Sequence, residues 1–129
     1  LVIYVDSSVL LARVFAEDVS PPDELWDMAL ISSRLLLYEV WTRVHGQNYR
    51  LPGRNGVEML LKRVELIELR SDVLERALRP LPLPLRTLDA LHVATMEFLR
   101  RHGQQVTLAS YDQRLLAVAS ALGFEAATL

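Results

Sequence analysis

Five short runs suited to β-strands, over 1–5, 30–32, 65–69, 106–109 and 124–127, are spaced along the chain with helical periodicity between them. The first, Leu1-Val2-Ile3-Tyr4-Val5, has no polar residue on either face. A strand with that pattern is buried on both sides. The intervals read as helices over 9–16, 23–30, 34–47, 55–63, 72–78, 87–101 and 113–122. Strands alternating with helices of this kind build an α/β layered domain around a mainly parallel sheet.

The punctuation agrees. Asp6-Ser7-Ser8 follows the first run, Val19-Ser20-Pro21-Pro22 breaks the chain, and Leu51-Pro52-Gly53 is a turn. Pro80, Pro82 and Pro84 forbid a helix and give an extended loop. At 129 residues the chain is expected to form a single domain over 1–129. With 51% hydrophobic residues it has enough apolar surface for a core. It contains no cysteine, which excludes a disulfide scaffold, a thiolate zinc site and a cysteine nucleophile. The longest apolar runs fall far short of the roughly 20 residues needed to span a bilayer, and no secretory signal opens the sequence. A cytoplasmic protein is expected.

Net charge is −2, a balance that by itself argues against a nucleic-acid binder. The remainder becomes +2 if four carboxylates are engaged by a metal. All basic residues but Lys62 are arginine, the side chain suited to bidentate grip on phosphate, although a GC-rich genome gives the same bias.

Four acids stand out. Asp6 and Asp112 lie at the carboxyl ends of expected strands, where ligands bind in open α/β sheets. Each also reads as a helix N-cap. Glu39 sits within Leu35-Leu36-Leu37-Tyr38-Glu39-Val40-Trp41, a helix apolar almost all round, and Asp89 flanks the stripe Leu88, Leu91, Thr95, Phe98. Such carboxylates are costly to bury unless paired or bound to a cation. Arg43 and Arg86 are candidate partners at helical spacing. Converging carboxylates repel by about 4 kcal/mol per pair at ~4 Å and an effective dielectric near ~20. They hold protons or recruit a cation, and oxygen donors without cysteine point to Mg²⁺ or Mn²⁺. Phosphoester hydrolysis suits that arrangement.

The motifs Tyr4-Val5-Asp6-Ser7-Ser8-Val9-Leu10, Tyr38-Glu39-Val40 preceded by Ser33, Leu88-Asp89-Ala90-Leu91-His92-Val93-Ala94 and Ser110-Tyr111-Asp112-Gln113-Arg114-Leu115 together resemble the signatures of PIN-domain ribonucleases, and among these the VapC toxins of bacterial toxin–antitoxin pairs. The resemblance covers almost the whole chain in motif order. It implies a parallel sheet of four or five strands between helices and a Mg²⁺- or Mn²⁺-dependent endoribonuclease site. Matched by motif, Asp6, Glu39, Asp89 and Asp112 form the acidic quartet that is both catalytic and metal-holding. Ser8 and Ser110 occupy small polar positions that hold a ligand or a water in place. It further implies a toxin acting on tRNA, rRNA or mRNA, a homodimer, and a small VapB-type antitoxin as partner.

Beyond the quartet, Arg43, Arg86 and Arg114 flank three of the acids and are candidates for RNA phosphate binding, with solvated or ion-paired roles equally open. His92, three residues after Asp89, reads either as a structural residue or as an aid to proton transfer. His45 and His102 sit near helix ends, where the helix dipole explains them. Trp26 and Trp41 read as core or dimer contacts. Competing functions are a catalytically silent binding or scaffold subunit and a receiver-like phospho-acceptor domain. The latter needs a lysine after a late strand, whereas Lys62 lies mid-chain on an expected helix. A haloacid-dehalogenase-type phosphatase needs Asp-x-Asp, and Asp6 is followed by Ser7-Ser8.

Overall fold

A computed structural model describes residues 1–17, 19–47 and 54–129. Five strands, Val2–Val5 (β1), Ala29–Ser33 (β2), Val64–Ile67 (β3), Thr107–Ala109 (β4) and Glu125–Ala126 (β5), form one sheet in the order β3-β2-β1-β4-β5. Every pairing is parallel. The connecting helices are Ser7–Val14 (α1), Leu35–His45 (α2), Arg54–Leu61 (α3), Ser71–Ala77 (α4), Thr87–Arg101 (α5) and Gln113–Ala121 (α6).

Alternation along β1 sorts the core into two layers. Ile3 and Val5 point to the face covered by Val9 and Leu10 of α1, Leu36 and Val40 of α2, and Val57 and Leu61 of α3. Tyr4 points to the opposite face, with Val93, Met96 and Leu99 of α5 and Leu115 and Val118 of α6. Helices therefore cover both faces, and α4 packs on α5. None among the described residues is long and apolar enough to cross a membrane.

Where a helix ends, the backbone closes the same way three times. Gly103 and Gly123, with φ of 85° and 89°, follow α5 and α6. The next N–H reaches back to the last turn: Gln104 N–H to Leu99 O at 2.9 Å and Phe124 N–H to Ala119 O at 2.9 Å. This six-to-one closure needs a left-handed residue, which glycine adopts at no steric cost. After α1 the same position is Ala16 at φ 48°, with Glu17 N–H on Ala12 O at 3.0 Å.

Two expectations are corrected. The helix expected over 23–30 is a single 3-10 stretch, Asp23–Asp27, because Ala29 is already committed to pairing with Val2 in the sheet. Leu88, expected on the apolar stripe of α5, is 45% exposed, and the buried face runs instead through Leu91, His92, Thr95, Met96 and Leu99. The turn expected at Leu51-Pro52-Gly53 lies outside the described residues.

Candidate metal centre

Both neighbours of β1 are parallel, but the chain reaches β2 directly and β4 only after β3. The direction of winding reverses between β1 and β4, which opens a crevice beyond their carboxyl ends. Asp6 follows β1 and Ser110 follows β4, on the two lips of that crevice.

Asp6 stands at the N-cap of α1 but its carboxylate caps nothing. Its Oδ2 accepts from Ser8 Oγ at 2.7 Å and Ser110 Oγ at 2.8 Å instead. Those hydroxyl oxygens accept in turn the backbone N–H of Tyr111 at 3.0 Å and of Asp112 at 2.9 Å. Two serines thus stitch the crevice together and solvate a carboxylate that is only 3% exposed. Oδ1 takes no part in these bonds.

Glu39 enters from the middle of α2. Its Oε1 lies 2.5 Å from His92 Nε2, and its Oε2 accepts from Ser7 Oγ at 3.3 Å. Its ion-pair partner among the described residues is therefore His92, and the candidate pairing with Arg43 is not formed. Helical spacing allowed the arginine, but the carboxylate is taken by a fully buried imidazole on α5.

Asp89 lies in the first turn of α5. It has neither a hydrogen bond nor an ion pair among the described residues, so Arg86 is not its mate. Partial burial, then the charges of Asp112 and Asp6, push its carboxyl up to about 6, with Glu39 adding to the shift and His92 opposing it. That influence puts the four acids in one electrostatic neighbourhood. Asp112 caps α6, its Oδ1 accepting from the backbone N–H of Arg114 at 3.0 Å and Leu115 at 3.1 Å. The capping reading thus holds for Asp112 and fails for Asp6.

The side chain that sequence reasoning underrated is His92, fully buried on α5. One ligand-capable atom each from Asp6, Glu39 and His92 lies within 4.8 Å of the others, a tighter group that does not include Asp89 or Asp112. Burial alone would lower the imidazole pKa, but its hydrogen bond to Glu39 and the charges of Glu39, Asp6 and Asp89 raise it above the usual value. Asp6 Oδ1 and the weakly held Glu39 Oε2, beside the crowded Asp89, form an oxygen-rich donor set that suits a hard divalent cation.

Arg43, Arg86 and Arg114 are all exposed. Arg43 shares a cleft of about 360 Å³ with Ser8, Glu17 and Tyr111. A larger cavity of about 620 Å³ opens at the opposite end of the sheet, beside Leu1, Gln104 and Glu125. No acid cluster lines it, and its Arg100 guanidinium is occupied by Leu122 O and the Phe124 ring. Charge rather than volume distinguishes the crevice end of the sheet.

No curated protein matches the sequence. Among solved structures, a chain of a "Toxin-antitoxin complex from Klebsiella pneumoniae" is 20% identical, with a TM-score of 0.57 over 89% of this chain and 90% of that one. At that identity the likeness speaks for the fold. The sequence profile of the PIN domain, a family whose members are generally nucleases, matches residues 3–124, from the start of the central strand to the last helix closure. With the five-stranded parallel sheet and the acids at its switch point, that match establishes that the chain belongs to the PIN domain family.

Proposed function

We propose that the protein is a Mg²⁺- or Mn²⁺-dependent endoribonuclease and the toxin of a type II toxin–antitoxin pair, of the VapC type. The observation that carries the reading is the convergence of Asp6 and Glu39, with oxygen atoms within 4.8 Å of each other at the switch point of the sheet, beside an Asp89 that has no ion-pair partner among the described residues. A divalent cation supplies what is missing: it lowers the pKa of an attacking water and offsets charge on the scissile phosphate.

In this reading Asp6, Glu39, Asp89 and Asp112 hold the cation. Ser8 and Ser110 fix Asp6 by occupying Oδ2, which leaves Oδ1 free of these bonds. Asp112 keeps one oxygen on the α6 backbone and has the other to offer. Arg43, Arg86 and Arg114 are exposed and in this reading grip RNA phosphates, which positions the strand without reading its sequence. The Klebsiella pneumoniae chain with this fold comes from a toxin–antitoxin complex, which supports a VapB-type antitoxin as partner. A homodimer and a cytoplasmic location complete the proposal.

The test is cleavage of a panel of tRNAs and rRNA fragments by the purified protein in Mg²⁺, Mn²⁺ or EDTA, beside Asp6→Asn. Discrete cuts that need metal and vanish in the variant support the reading. Intact RNA in all lanes, with metal binding verified by calorimetry, favours a catalytically silent subunit. Cuts that survive in Asp6→Asn sink the site assignment.

A further inference from the structure

His92 is 0% exposed, so it cannot touch a substrate, yet both of its ring nitrogens are engaged. Nδ1 lies 2.6 Å from the hydroxyl of Tyr4, a residue equally buried. The Tyr4 oxygen also accepts the backbone N–H of Ser33 at 3.1 Å. The two rings meet edge to face, with centroids 5.7 Å apart. A connected path therefore runs from the end of β2, through a β1 side chain, to α5 and on to Glu39 of α2.

The donors and acceptors on this path fix its polarity. A phenol has one proton, and with Ser33 N–H already directed at its oxygen that proton is free to go to Nδ1. Nε2 then carries the ring hydrogen and donates it to Glu39 Oε1. Were the ring doubly protonated, Nε2 would still donate to Glu39. The remaining tautomer would set a bare Nε2 lone pair against a carboxylate oxygen at 2.5 Å, a contact that repels. Two ligands at right angles around one ion, each about 2.1 Å from it, stand about 3.0 Å apart, so this closer pair is a hydrogen bond and not two ligands of a shared cation.

Resting on the reading of Glu39 as a cation ligand, we propose that His92 is a positioning residue and not itself a ligand, despite its place in the tight cluster. Anchored by Tyr4, it donates Nε2–H to Glu39 Oε1 and so aims Oε2 at the cation. Such supporting contacts typically change metal affinity or activity about 10–100-fold when removed.

The test separates this from the nuclease reading by using signals that need no RNA. In metal-free protein labelled with ¹⁵N-histidine, a two-bond ¹H–¹⁵N spectrum reports which ring nitrogens carry protons. The His92 signals are those lost in His92→Gln. We expect Nε2 to be protonated before and after saturation with Mg²⁺; an unprotonated Nε2 in either state overturns the proposal. Calorimetric Mn²⁺ titration supplies the second arm. Gln places an amide N–H near the Nε2 position, so His92→Gln should bind Mn²⁺ within about threefold of the parent, whereas His92→Leu should lose about 10–100-fold. Equal losses in both variants would identify a ligand and overturn it. If His92→Leu does not fold, the spectrum and His92→Gln still decide. A protein that cuts no RNA but shows the expected spectrum and rescue keeps this inference and loses the nuclease.

Discussion

Asp6 and Asp89 face the same crevice and are treated in opposite ways. Asp6 is the more deeply buried, at 3% exposure, yet two serine hydroxyls replace the water it has lost. Asp89 is only half-buried, has no donor among the described residues, and its carboxyl is pushed up to about 6. The contrast shows that depth alone does not set the cost of a buried charge; the supply of hydrogen-bond donors does. It also gives the crevice a held acid and an unheld one. The first is a fixed corner of the site and the second is where a cation has most to relieve.

The largest effect should come from the held acid. Asp6→Asn is expected to reduce metal-dependent RNA cleavage by at least about 100-fold, read on a denaturing gel with Mg²⁺. Asp89→Asn should lose activity too but behave differently as a fold. Without metal at pH 7 it should be more stable than the parent by about 1 kcal/mol, a figure reduced for the half-exposure of the group. Denaturant melts measure it. Equal stabilisation by Asp6→Asn would erase the distinction between the two acids.

The pH dependence sharpens the contrast. Because the folded Asp89 carboxyl titrates near 6, above its unfolded value, the folded chain holds its proton longer. Metal-free stability from this group should fall as pH rises from about 4 through about 6 and level off above. His92, also raised, adds stability at acid pH that is lost as pH climbs through its folded value. Mg²⁺ binding should tighten over the Asp89 window and release protons, seen by calorimetry in buffers of different ionisation enthalpy. Binding indifferent to pH between 5 and 7 would remove Asp89 from the site. A stability change of similar size and opposite sign, a loss of about 1–2 kcal/mol, is expected from Ser110→Ala, since it takes one of two donors from a buried carboxylate. A neutral result in denaturant melts would mean that Ser8 suffices.

The strands, α5 and the Asp112 cap were legible because each is a local pattern: apolar runs, helical spacing, a polar residue before a helix. That the four acids come near one another was legible through motif order. His92 was not, since its two partners are 88 and 53 residues away and no periodicity links Tyr4 or Glu39 to it. Its only local trace was a titratable residue on the buried face of α5. Arg43 looked like the partner of Glu39 because helical spacing is visible in a sequence and packing between helices is not. The 23–30 helix was misread for a related reason, as the pull of β1 on Ala29 is a tertiary effect.

The hydrogen bond from Ser110 to Asp6 joins residues 104 apart. β1 is made before every other strand of the sheet, yet β4, one of its two neighbours, comes after β2 and β3. Until the ribosome has delivered β4 and α6, Asp6 lacks its second hydroxyl and Asp112 does not exist. Long-range parallel pairing of this kind is slow to form. A growing chain therefore carries an incomplete site until β4 and α6 have been made and docked.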